Sequence, residues 1–148
     1  MQRENVLFHW ACFCALCFLA GCSRQYPIPK ELGSPMPVQG KVLLGDKPLR
    51  GGILTLYPLD FDEKVCLTHG FIDSQGNYSL NCWHPYQEKG ALAGRYRVTV
   101  EPASEDQPQD GMVQAQYRSK DKSPLILTVQ KDAPAGAYDL TLEVSNKR

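Results

Sequence analysis

The chain has no excess of either charge, with 16 Lys and Arg against 16 Asp and Glu. A nucleic-acid interface needs clustered cations facing phosphate, so balanced and interspersed charge gives no ground for one. The same balance argues against a polybasic membrane patch. Histidine is scarce: His9, His69 and His84 are the 3 in the chain. No serine motif, metal-binding helix or glycine-rich phosphate loop accompanies them, so the sequence predicts no enzyme, no cofactor and no metal site. No apolar run reaches the about 20 residues of a spanning helix. After the N-terminal run, no stretch of about ten residues keeps a helical period. The 148 residues suffice for one domain, which at this size folds without help from a metal or a disulfide.

What is present begins with residues 5–21, which are apolar almost throughout and carry no charge. That length and position suit the hydrophobic region of a secretory signal, although Glu4 offsets Arg3 ahead of it and His9 interrupts it. Leu19-Ala20-Gly21-Cys22 follows, and it resembles the lipobox of bacterial lipoproteins. The resemblance implies cleavage after Gly21 and a diacylglycerol in thioether linkage on Cys22. The peptidase needs small side chains before the cysteine, and multiple acylation gives stable anchoring where one chain does not. Residues 1–21 are thus expected to be a signal peptide, and the membrane is an expected partner through lipid on Cys22. Ser23 stands where an inner-membrane retention signal would place Asp, which favours the outer membrane in a cell that has two. Residues 22–37 carry Tyr26-Pro27-Ile28-Pro29 and Ser34-Pro35-Met36-Pro37, and read as a semi-rigid tether.

Six cysteines suggest a disulfide framework, but Cys12, Cys14, Cys17 and Cys22 belong to the leader and the anchor. Cys66 and Cys82 remain, in a protein expected where disulfides persist. If Asp73-Ser74-Gln75-Gly76 forms a four-residue turn, Leu67 opposes Cys82 and the two cysteines point to opposite faces. A three-residue loop or a bulge would bring them together. Both arrangements stay open. The two thiols with His69 and His84 have no zinc-ligand spacing.

From Val38 the pattern has period two. Val38, Gly40, Val42 and Leu44 mark one run, and Gly51-Gly52 opens Ile53–Tyr57. Two more cover Val65–Ile72 and Asn77–Cys82. Tyr96, Val98 and Val100 alternate with Arg95, Arg97 and Thr99. Leu125, Leu127 and Val129 mark a sixth run, and Tyr138, Leu140, Leu142 and Val144 point inward in a seventh. Half-buried strands produce this pattern, and it predicts an all-β, antiparallel sandwich over 38–148.

Several segments occur in a telling order: Val38-Gln-Gly-Lys-Val, Gly45-Asp-Lys-Pro-Leu, Gly51-Gly-Ile-Leu-Thr-Leu-Tyr-Pro, Asp73-Ser-Gln-Gly-Asn-Tyr-Ser-Leu and Ala93-Gly-Arg-Tyr-Arg-Val-Thr-Val. Together they resemble the carboxypeptidase regulatory-like domain, and more closely small bacterial lipoproteins made of a lipobox, a spacer and one such domain. The resemblance implies a seven-stranded Greek-key sandwich of the transthyretin-like (prealbumin-like) kind. It implies a fold and no activity. Phe61–Glu63 and Trp83–Glu88 fall outside its pattern.

Two acidic segments invite a cation. Asp73-x-x-Gly76-Asn77 lacks the longer ligand set of a calcium loop and reads as a turn; Asp60, Asp62 and Glu63 read as a solvated loop. Trp83, His84 and Tyr86 either cap the end of the sandwich or form an exposed platform for a sugar ring. The expected function is a lipid-anchored, non-enzymatic envelope module that contacts another envelope protein or acts as a spacer. The alternative is a carbohydrate- or small-ligand-binding lipoprotein using Trp83–Tyr86.

Overall fold

The computed structural model describes residues 30–84, 88–103 and 113–144. The leader, Leu19-Ala20-Gly21, Cys22, Pro85 and Tyr86 lie outside the described residues. Ten strands run along the described chain: β1 (Gln39–Leu44), β2 (Lys47–Pro48), β3 (Gly52–Pro58), β4 (Leu67–Ile72), β5 (Asn77–Ser79), β6 (Asn81–His84), β7 (Glu88–Lys89), β8 (Gly94–Pro102), β9 (Ile126–Val129) and β10 (Leu140–Leu142). The protein is all-β, and among the described residues no helix is long and apolar enough to cross a membrane.

The strands form one curled sheet in the order β10-β1-β5-β4-β3-β8-β9, with β2 on β1 and the β6/β7 pair on β4. Every pairing is antiparallel except β1 with β10, which is parallel. The period-two positions point where the sequence places them: Leu54, Leu56, Tyr96, Val98, Val100, Leu127, Val129, Leu140 and Leu142 join Val38, Val42 and Leu44 in one buried core. Period two did not reveal the two-residue strands β2 and β7, which are too short to show it. The run expected over 77–82 is divided between β5 and β6 at Leu80, whose N–H turns to the Val38 carbonyl at 3.0 Å.

β1 changes partners halfway, and this curls the sheet. Gln39–Lys41 pairs with β5, whereas Val42–Leu44 pairs with β10. Gly40 sits at the exchange: a Cβ there would stand 2.5 Å from the Tyr138 carbonyl oxygen. The Tyr78 hydroxyl donates to that same carbonyl at 2.5 Å, and the Lys41 N–H donates to Asp139 Oδ1 at 2.8 Å. The approach that excludes a side chain at Gly40 is therefore pinned on both sides.

The β4–β5 connection differs from the expected four-residue turn. Ile72 pairs with Tyr78, so five residues, Asp73 to Asn77, join the strands. Asp73 organises them: its carboxylate accepts from the Gln75 and Asn77 N–H groups at 2.8 Å each and from Asn77 Nδ2 at 3.1 Å. Gly76 takes the left-handed φ of 82° that the loop requires. One extra residue moves the register by one and places Cys82 opposite Thr68 rather than Leu67.

Candidate functional site

Cys82 pairs with Thr68, the ladder carries a bulge between Leu67 and Thr68, and Cys66, just ahead of β4, is buried like Thr68 while Leu67 between them is exposed. The structure joins the two sulfurs, with the Cα atoms 5.6 Å apart. Both cysteines are fully buried beside Leu92, and Leu32, Phe61 and Val65 pack around them. Thr68 Oγ1 lies 3.2 Å from Cys66 Sγ, so its buried hydroxyl is not left alone. The N-terminal segment is seated at this end of the domain. Met36 and Ala91 exchange backbone hydrogen bonds at 2.8 and 2.9 Å, so the chain is docked before Val38. Apolar Leu32 and Met36 cover the core edge there.

The opposite face of the same strands is exposed. On β4, Thr68, Gly70 and Ile72 point inward, while Leu67, His69 and Phe71 point out. Trp83 projects from β6 to the same side, and its indole stacks on the His69 ring with centroids 5.1 Å apart and planes 8° apart. Phe71 meets His69 edge to face at 6.3 Å. Ile53, the cross-strand partner of Phe71, extends the row. Phe71 is 65% exposed, Trp83 44%, Leu67 42% and Ile53 38%. Partial burial pushes the His69 imidazole below its ordinary pKa, which favours the neutral ring. Trp83 thus stands on the sheet face. His84 closes β6 through its backbone.

Sequence reasoning singled out Trp83 and missed His69, Phe71 and Leu67. The signal was available: Leu67, His69 and Phe71 share one parity along the run, opposite in phase to the buried Thr68 and Ile72.

The acidic loop is committed to the fold. Asp60 forms a two-atom salt bridge with the Arg95 side chain, at 2.9 and 3.2 Å, and also accepts the Arg95 N–H at 2.8 Å. The guanidinium and that N–H hold the Asp60 carboxyl below the usual carboxylate range. Asp62 caps a 3₁₀ turn through the Lys64 N–H at 2.9 Å, and Glu63 pairs with Lys120. Asp73 is likewise held low by its loop N–H groups. Among the described residues no three His, Cys, Asp or Glu side chains gather as metal ligands. A cleft of about 410 Å³ between the β1–β2 hairpin and the Asp73 loop is lined by Lys41, Lys47, Pro48, Arg50, Ser74 and Gln75.

Compared with protein-family models, curated proteins and solved structures, the chain matches none.

Proposed function

We propose that this chain is a lipid-anchored, non-enzymatic protein of the cell envelope, held by acyl chains on Cys22 after cleavage behind Gly21. The observation that carries the reading is Leu19-Ala20-Gly21-Cys22 at the end of an uncharged apolar run, followed by a proline-rich segment. The bonded pair Cys66–Cys82 supports it independently, because disulfides persist in oxidising compartments outside the cytosol. Ser23 after the anchor favours the outer membrane in a cell with two.

The β domain serves as a structural or protein-interaction module in this reading. Its finer architecture is a transthyretin-like Greek-key sandwich of the carboxypeptidase regulatory-like kind. Supporting this, the segments that carry the resemblance fall at the ends of strands: Gly45-Asp46 turns β1 into β2, Gly51-Gly52 leads into β3, the Asp73 loop joins β4 to β5, and Gly94 opens β8. A second reading, glycan binding, draws on the exposure of Trp83 beside His69.

Metabolic labelling with a fatty-acid precursor tests the anchor. Label is expected on the wild type and lost from Cys22→Ser, with the variant released from the membrane fraction. Equal labelling of both proteins would overturn the reading.

A further inference from the structure

Among the described residues, four of the six exposed large hydrophobic side chains, Ile53, Leu67, Phe71 and Trp83, gather on one face of the β3–β4–β6 region. With His69 between Phe71 and Trp83 they form a continuous apolar and aromatic surface. A contiguous exposed apolar patch of this kind often marks a site of interaction. Its inward-facing neighbours Leu54, Leu56, Thr68 and Ile72 are buried, so register fixes which side chains project. Charge borders this face: Glu101 pairs across from Ile53, Lys89 across from Asn81, and Lys120 lies over the Tyr57 ring on β3.

The chain outside the described residues says what this face meets. Leu32 packs on the Cys66–Cys82 cluster, and Leu67 and Trp83 are the strand neighbours of those cysteines on the other face. From Leu32 back to Cys22 there are ten residues, which span at most about 35 Å fully extended. With acyl chains on Cys22, Leu32 is kept within that distance of a bilayer, and Leu67 and Trp83, on the other face of the same strands, within about 10 Å more. Phe71, four residues along β4, lies only about 13 Å further at a strand's rise per residue.

We propose that this face is a bilayer-docking surface, seating Trp83, Leu67, Phe71 and Ile53 at the headgroup–acyl boundary of the membrane that holds Cys22. The inference rests on the anchor reading above. Tryptophan suits that boundary because its ring is apolar while its N–H still finds a polar partner. The neutral imidazole of His69 adds no charge to be desolvated there. Lys89 at the rim has a stem long enough to keep its ammonium among the headgroups. A sugar ring fits less well, since His69 already occupies one face of the indole at 5.1 Å.

Cleavage after Gly21 removes Trp10 and leaves Trp83 as the sole tryptophan, so its fluorescence reports on this face alone. The lipidated protein, purified from membranes, is reconstituted into vesicles carrying lipids brominated just below the headgroup. Trp83 is expected to shift to the blue and lose about half or more of its emission, as an interfacial indole would. Phe71→Ser with Leu67→Ser should restore most of it, with the circular dichroism spectrum unchanged. The wild-type measurement decides the matter even if the variant fails to fold. No quenching while mass spectrometry shows acyl chains on Cys22 would overturn the docking surface. So would an emission shift caused by soluble glycan fragments in the absence of lipid quenching. Lack of acyl chains on Cys22 would instead overturn the anchor beneath it, and the mass spectrum reads that outcome separately.

Discussion

Reducing the Cys66–Cys82 bridge should cost the domain about 3 kcal/mol, the entropy the open loop regains in the unfolded chain. The figure follows from the sequence separation of 16 between the two cysteines. Reduction is a cleaner perturbation than substitution, because both sulfurs stay in their pocket beside Leu92 and no cavity opens. Equilibrium urea unfolding, followed by circular dichroism with and without reductant, gives the comparison. At about 1.5 kcal/mol/M for a domain of this size, the midpoint should fall by roughly 2 M. A thiol reagent supplies the second readout: on the proposed anchor at Cys22, the unfolded, unreduced mature protein should show no free thiol. Coincident unfolding curves, or two reactive thiols before reduction, would refute the reasoning from register to bridge.

Three further outcomes follow from the packing. Gly70→Ala puts a Cβ 2.3 Å from the Ser79 carbonyl oxygen, where only backbone movement relieves the clash, so urea unfolding should show a loss of about 1–3 kcal/mol. Tyr78→Phe leaves the Tyr138 carbonyl without its buried donor and should cost about 1–2 kcal/mol in the same assay. By NMR, His69 should titrate below the ordinary 6.5, and Trp83→Ala should move its midpoint back toward that value. Because its folded pKa is depressed, the stability linked to His69 is complete above 6.5 and is lost as pH falls through the folded value. A midpoint at or above 6.5 would contradict the burial assigned to the ring.

Most of the core was legible because a half-buried strand repeats every two residues, and Tyr96-Val98-Val100 and Tyr138-Leu140-Leu142 keep that period without interruption. The curl was not. It depends on the partner exchange within β1, and one local trace of it is Gly40, whose missing side chain admits the Tyr138 carbonyl. Gly70 is a second such trace: a glycine inside a strand pattern marks a close backbone approach, and Ser79 makes it. The cysteine pairing turned on the parity of one loop. Asn77 opens β5 and pairs with Lys41 on β1, yet its N–H and side chain both bind Asp73, so β4 meets β5 first at Tyr78, and this register with the bulge after Leu67 brings Cys66 and Cys82 together. Trp83 stood out by its residue type. Its companions Leu67, His69 and Phe71 did not, since exposed apolar residues on a strand look like any other strand residues until the register is known.

The intact mass of the mature protein taken from membranes tests the proposed anchor on Cys22 most directly. The expected species begins at Cys22, lacks residues 1–21, and carries the added mass of a diacylglycerol with or without a further acyl chain. A mature N-terminus at any other residue, or an unmodified Cys22 thiol on a membrane-bound chain, would contradict it.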